Sequence, residues 1–256
     1  MVPLWWAGLL IFAGCAPGEQ PIEVRYEITA KLNAGTTPQA VQFYVHEVEL
    51  LDSGGQSHPL TLNAVLPWQS ERVALLDVSP EGARRHVIEG RAARRQYTGV
   101  RFTVGVPVEL NHANPLAAAA PLNRAELFWS WQSGYKFLRF ELSAVDHAAA
   151  FHLGSTGCSS ASALRPPTQP CGQPNAMRVE LRGFDPSVEP IQVRIDELVA
   201  AMQGAQGACT GDYARDKGCA DAFALTGLDA ATGRCANGSS TCAQRLFVVG
   251  SVDQSQ

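Results

Sequence analysis

The signatures that would decide this chain's chemistry outright are missing. There is no Cys-x-x-Cys pair, which argues against a zinc ribbon or a thioredoxin-like redox site. There is no Gly-x-Ser-x-Gly elbow, and Gly154-Ser155-Thr156-Gly157-Cys158 has only a superficial likeness to one. No Gly-rich loop lies between a strand and a helix, so no phosphate cradle is expected. No pair of carboxylates stands out as a glycosidase set. Charge is sparse as well: 17% of residues are charged and the formal net charge is −4, with Lys and Arg scattered. A nucleic-acid partner would require a clustered basic face, and none is expected. Methionine is rare at three residues, against 23 glycines and 16 prolines, a balance that favours short strands and turns over long helices. An enzyme is the least supported class.

What is present suits one sizeable core. The 256 residues are 46% hydrophobic, enough for a single β-sandwich or barrel. The first fifteen residues, MVPLWWAGLLIFAGC, contain an apolar run too short to span a membrane, as in the apolar region of a signal peptide. The run ends in Phe12-Ala13-Gly14-Cys15, which resembles a bacterial lipobox and implies lipidation of Cys15. Residues 16–21 then form a tether, and 22–256 a single domain. Ala16 follows the cysteine where an inner-membrane retention signal would place an aspartate, so an outer-membrane anchor is expected. Six cysteines remain: Cys158, Cys171, Cys209, Cys219, Cys235 and Cys242. In an exported chain an even count reads as disulfides. Spacing suggests that neighbours pair, although other connectivities stay open.

Alternation of apolar and polar residues predicts strands over 22–32, 41–51, 97–108, 135–142, 177–184, 191–195 and 246–252. Shorter strands are predicted over 60–62 and 73–78. In the 41–51 strand, Phe43 and Val45 fall on one face, and Tyr44, His46, Val48 and Leu50 on the other. The arginine-rich 82–96 segment reads as a helical turn or solvated loop, and 196–202 as a short helix. Residues 204–242 are rich in Gly, Ala and Cys and are expected to be an appendage held by its disulfides. The organising stretch is 127–158, which reads as the inner face of a sandwich ending at a disulfide. Trp129 and Trp131 should share one face of it. The fold class is all-β, a single antiparallel sandwich with a disulfide-stapled C-terminal appendage.

Six histidines are present: His46, His58, His86, His112, His147 and His152. His46 interrupts an otherwise apolar strand face beside Tyr44, and His112 lies at a strand end in Asn111-His112-Ala113-Asn114. Residue physics alone makes such a strand histidine a hydrogen-bonded core or rim residue, and makes Trp129 and Trp131 core anchors. Imidazole pairs also suit copper and zinc, and an aromatic-lined pocket leans towards Cu(I).

Six segments carry a resemblance: FYVHEVEL at 43–50, GVRFTVGVPVELNHANP at 99–115, Pro-Leu-Asn at 121–123, WSWQSGYKFLRFEL at 129–142, FHLGSTGC at 151–158 and CGQPNAMRVEL at 171–181. Together they resemble the MbnP family, the four-Cys-motif proteins of the metallo-mystery pair. The resemblance implies a periplasmic or surface β-sandwich that binds one copper ion through histidines. It also implies an oxidised tryptophan, kynurenine, made by a dihaem cytochrome c peroxidase-like partner. Carried over by motif, His46 and His112 become the leading ligand candidates, and His152, in a shared segment beside Cys158, is a third metal candidate that could instead brace that corner. Glu47 or Asn111 could accept the second ring N–H and fix the tautomer. The oxidised aromatic would be Trp129 or Trp131, with Tyr44 in the aromatic place near His46. The family's disulfide-forming cysteines match Cys158, Cys171, Cys209 and Cys219, leaving Cys235 and Cys242 as an extra staple. His58, His86 and His147 lie outside the motifs and are expected at the surface. The rival reading is a surface binding or adhesion lipoprotein that presents Trp129, Trp131 and Tyr135 to a ligand.

Overall fold

The computed structural model describes residues 18–28, 37–80, 85–143, 148–203, 205, 207–214 and 216–250. Cys15, His147 and the signal segment lie outside them. The chain runs β1 (Glu19–Ile28), β2 (Thr37–Leu51), β3 (Ser57–Pro59), β4 (Thr61–Leu62), β5 (Ala74–Asp77), β6 (Val87–Ala93), β7 (Gly99–Val104), β8 (Phe128–Ser130), β9 (Gly134–Ser143) and β10 (Ala148–Gly154). It continues through β11 (Met177–Arg182), β12 (Ile191–Val193), helix α1 (Ile195–Ala201), β13 (Ala208–Thr210), helix α2 (Lys217–Ala224) and β14 (Phe247–Val249).

The strands form an all-β sandwich. One sheet has the order β14-β12-β1-β6-β4. The larger sheet has the order β11-β7-β2-β9-β10-β13, with β3 and β5 added to β2 and β8 to β9. Most pairings are antiparallel, but β1–β12 and β10–β13 are parallel. Both exceptions join an early strand to one that arrives after a long connection, and such a connection can bring a strand in from either end. The main core lies between the sheets. There Tyr26 of β1 meets Phe43 and Phe102 edge-on, and Phe247 of β14 closes the set against the same two rings.

Two predicted segments fold differently. The arginine-rich 82–96 segment contains β6, paired along its length with β1. Its inward positions are Ile88, Gly90 and Ala92, all buried, and the two small residues hide the alternation from a hydropathy reading. Gly90 is required, since a Cβ there would lie 2.7 Å from Leu60 Cγ. The tether is also shorter than expected, because Glu19, Gln20 and Pro21 already pair with Ala93, Ala92 and Arg91.

All three disulfides join sequence neighbours: Cys158–Cys171, Cys209–Cys219 and Cys235–Cys242. The stapled C-terminal segment is also part of the core. It contains α2, a helix without a predicted counterpart, whose N-cap Asp216 accepts from the Cys219 amide at 2.8 Å. Cys209, Cys219, Ala222, Phe223 and Leu225 are buried in the main cluster. Phe223 stacks on Tyr213 with ring centroids 4.5 Å apart, and Tyr213 Oη reaches back to the His152 carbonyl at 2.9 Å. Phe223→Ala is therefore expected to cost about 3–5 kcal/mol, the usual range for a truncated core aromatic. Denaturant unfolding followed by both fluorescence and far-ultraviolet circular dichroism should still show one transition. An early separate step for residues 204–242 would show that they fold apart from the sandwich.

Candidate metal centre

Strand β2 builds the site by changing partners. Phe43 pairs with Leu138 of β9 and Leu76 of β5, while Val45 pairs with Val104 of β7 and Ala74 of β5. Since β5 holds one edge throughout, β9 and β7 share the other in succession, and they part at Tyr44. His46 follows immediately. The pairing register then shifts between His46 and Glu49, a β-bulge, and Glu47 takes a left-handed backbone conformation with φ 50°. A bulge adds one residue to its strand and re-aims the side chains that follow. Val48 and Leu50 therefore join Phe43 and Val45 in the main core, not Tyr44 and His46 as strict alternation predicts. Tyr44 and His46 stay on the outer face.

On that outer face His46 borders a cavity of about 410 Å³, lined also by Thr103, Val106, Phe137, Asn111 and Ser155. Gly105 borders the imidazole closely enough that a Cβ there would make ordinary van der Waals contact with His46 Nε2, at 3.6 Å. Burial lowers the His46 pKa; the Glu47 carboxylate opposes this, and Arg178 and Arg72 add to the lowering. The ring is thus neutral at neutral pH, the form that can ligate a metal. Glu47 does not hydrogen-bond the ring as expected, since its Oε2 lies 3.9 Å from His46 Nδ1. That oxygen instead accepts from Thr103 Oγ1 and Arg178 Nη1, each at 3.0 Å.

His112 comes from the loop that follows β7, and Asn111 fixes that loop. The buried Asn111 accepts from the Tyr135 amide through Oδ1 at 2.9 Å and donates through Nδ2 to Ser155 Oγ at 3.1 Å. Gly134, at φ +77°, leaves room for it, because a Cβ would fall 2.5 Å from Asn111 Oδ1. His112 Nδ1 lies 3.2 Å from the Trp131 carbonyl oxygen, which can only accept, so the proton is on Nδ1. Nε2 keeps its lone pair, with Asn111 Nδ2 at 3.3 Å as a donor. Asn111 is therefore a donor to His112, the reverse of the expected role. Partial burial lowers the His112 pKa too, against the Trp131 carbonyl bond that raises it. Asn111 and Ser155 line the His46 cavity, so the polar chain from His112 ends in its wall. Among the described residues, no group of three converging ligand atoms includes His46.

The other candidates are distributed around this centre. His152 is buried on β10, bonded through Nε2 to Glu141 Oε1 at 3.0 Å, and borders neither the His46 cavity nor the one beside Cys158. Tyr44 is buried, and its hydroxyl donates to the Pro121 carbonyl at 3.1 Å. Tyr135 is buried as well and bonds the Leu122 carbonyl at 2.6 Å, so it presents no aromatic surface. Trp129 is half-buried in β8 and lines the cavity beside Cys158. Trp131 lies in the turn after β8, off the strand it was expected to share. His58 is held by Asp52 at 2.9 Å, and His86 is exposed. Ser155, Thr103, Arg178 and Gly105 had no signal in the sequence as site residues, since the two strand ends that bring them together are distant in the chain.

These features define a disulfide-stapled β-sandwich whose outer face carries a neutral, buried histidine in a cavity of mixed polar and apolar lining. The MbnP family profile matches residues 14–211, and the chain belongs to that family. Among solved structures, MbnP from Methylosinus trichosporium has the same fold, with a TM-score of 0.77 at 24% identity over 92% of this chain and 99% of that one. No curated protein matches.

The buried histidine on β10 makes the fold sensitive to acid. Burial, aided by Lys136, lowers the His152 pKa from its ordinary 6.5 to about 4, against the opposing Glu141 bond. Between those values the folded protein holds fewer protons than the unfolded chain. The stability from this residue is therefore present above pH 6.5 and is lost as pH falls towards about 4. Urea unfolding should show a loss on the order of 2–3 kcal/mol across that window, and His152→Gln should flatten it. An unchanged slope in the variant would assign the acid sensitivity elsewhere.

Proposed function

We propose that this protein is an exported, non-enzymatic copper-binding protein of the cell envelope, anchored to the outer membrane through Cys15. Its role is the capture, storage or hand-over of copper. The observation that supports this reading is a pair of neutral imidazoles linked through Asn111, which lines the His46 cavity and bonds His112. His46 is kept neutral by burial in the cavity, and His112 is fixed by the Trp131 carbonyl with Nε2 unprotonated and accepting from Asn111 Nδ2. Neutral imidazoles suit copper, and donors positioned by a second shell of hydrogen bonds raise affinity. His46 would be the buried ligand and His112 the ligand carried by the loop. His152, committed to Glu141, braces the sheet.

A dihaem cytochrome c peroxidase-like partner would supply the oxidising chemistry that converts tryptophan to kynurenine. Trp129 and Trp131 are the residues it would act on. Both are half-buried, and the Trp131 backbone already holds His112. The fully buried Tyr44 is a poor substitute, because its hydroxyl is used by Pro121 and its pKa is raised well above 10 by burial and by Tyr135.

The test is metal analysis and intact mass on protein matured in a periplasm, with and without the haem partner. Near-stoichiometric copper is expected, together with the mass change of tryptophan-to-kynurenine conversion when the partner is present. His46→Ala and His112→Ala should each weaken copper binding by roughly tenfold or more, since even outer-shell losses have effects of that size. Unchanged affinity in the double variant would remove the site, and absence of copper under both conditions would favour a binding module instead.

A further inference from the structure

We propose a second metal site in this chain, made by His112, Cys158 and Cys171 and opened by reduction of their disulfide. It takes a soft d10 cation, for which Cu(I) is the probe. His112 Nε2 lies 3.6 Å from Cys171 Sγ, and the ligand atoms of all three residues lie within 4.8 Å of one another. Two thiolates and an imidazole are a ligand set for Cu(I) or Zn²⁺.

Three features separate this bridge from the others. The first is access. Cys158 and Cys171 are both half-buried, and Cys158 lines a cavity of about 430 Å³ with Trp129, Ser133, Thr156 and Thr210. Cys209 and Cys219 are both fully buried, and in the third bridge Cys242 is buried while Cys235 is half-buried. The second feature is a scaffold that does not depend on the bridge. Thr156 and Gln173 exchange backbone hydrogen bonds at 2.9 and 3.0 Å, and the Gly172 amide donates to the Gly157 carbonyl at 3.1 Å. These bonds flank both cysteines and keep the sulfurs together after the S–S bond is cut. The third is the histidine itself. Its proton is on Nδ1, towards Trp131, so Nε2 is unprotonated; it has Cys171 Sγ at 3.6 Å and the Asn111 Nδ2 donor, which a bound metal would displace, at 3.3 Å.

The step balances with an external dithiol, a thioredoxin-like protein or a small molecule, as reductant. Its thiolate attacks one sulfur, the Cys158–Cys171 bond breaks, and a mixed disulfide forms. The second thiol of the reductant then releases that sulfur, leaving an oxidised reductant and two protein thiols. Cu(I) binding displaces both thiol protons to solvent. His112 is also the loop ligand of the oxidised centre proposed above, so the state of the disulfide decides which donor set it serves. The thiol site does not depend on that centre.

The experiment uses the full chain carrying His46→Ala with Cys235→Ser and Cys242→Ser, which removes the first centre and the extra bridge. Under anaerobic conditions, a mild dithiol should expose thiols at 158 and 171 alone, read by alkylation and peptide mapping. The reduced protein should then take near-stoichiometric Cu(I) from a coloured chelator, with thiolate-to-copper charge-transfer absorption that the oxidised protein lacks. His112→Ala keeps both thiols and should bind Cu(I) roughly tenfold or more weakly. Cys158→Ser with Cys171→Ser should abolish the absorption. The proposal is overturned by equal Cu(I) affinity in His112→Ala, by absorption that survives the serine pair, or by a bridge that resists the dithiol while Cys209–Cys219 opens. Copper loss from oxidised His46→Ala protein bears only on the first centre.

Discussion

The arrangement of the outer face depends on one constraint, that a single edge of β2 serves two strands. β9 gives way to β7 beside Tyr44, and the Gly105 amide just past β7 donates to the Tyr44 carbonyl at 3.0 Å across the junction. The bulge at Glu47 follows at once and returns the rest of β2 to its core-facing register. A left-handed glutamate costs on the order of 1–2 kcal/mol in backbone strain. Its side chain recovers part of that through Thr103 and Arg178. The placement of His46, between the change of partner and the bulge, is thus a consequence of how the sheet is paired.

The same outer face carries a second apolar cluster, remote from the main core. Tyr44, Tyr135 and Phe137 pack there with Val73, Leu75, Val106, Leu122 and Leu127. The cover is the connection between β7 and β8, a stretch with no strand of its own. Its path is set by polar ties: Asn111 to Tyr135 and Ser155 at one end, and the hydroxyls of Tyr44 and Tyr135 to Pro121 and Leu122 at the other. Membership of the MbnP family accounts for the fold. These ties account for the placement of this chain's own histidine loop.

Much of this was legible in the sequence, and the failures have physical causes. Period-two alternation located β2, β9 and β11 because each has one dry face and one wetter face. It failed at β6, where Gly90 and Ala92 fill inward positions that hydropathy scores as neutral. It failed again at Val48 and Leu50, because one inserted residue reverses every later side chain and no residue type announces a bulge at Glu47. His46 and His112 were legible as candidates through their motifs. Their supports were not: Ser155 and Asn111 meet only after β10 and the β7–β8 connection have been placed. Helix α2 went unseen because a short Ala- and Cys-containing stretch reads equally well as a stapled loop.

The tying of the β7–β8 connection at both ends has a further consequence. A loop that must be ordered by its ligand gives up part of the binding free energy to lost chain and rotamer freedom. Here folding of the sandwich has already met that entropy, since Asn111, Pro121 and Leu122 are fixed by bonds to β9, β2 and the β10–β11 connection. The imidazole and amide groups on this face are thus held in place by the fold itself, and a copper ion of the kind proposed above would meet a donor set already ordered. Its interaction free energy would then go into affinity and selectivity, and occupancy would change while the shape of the protein stays the same.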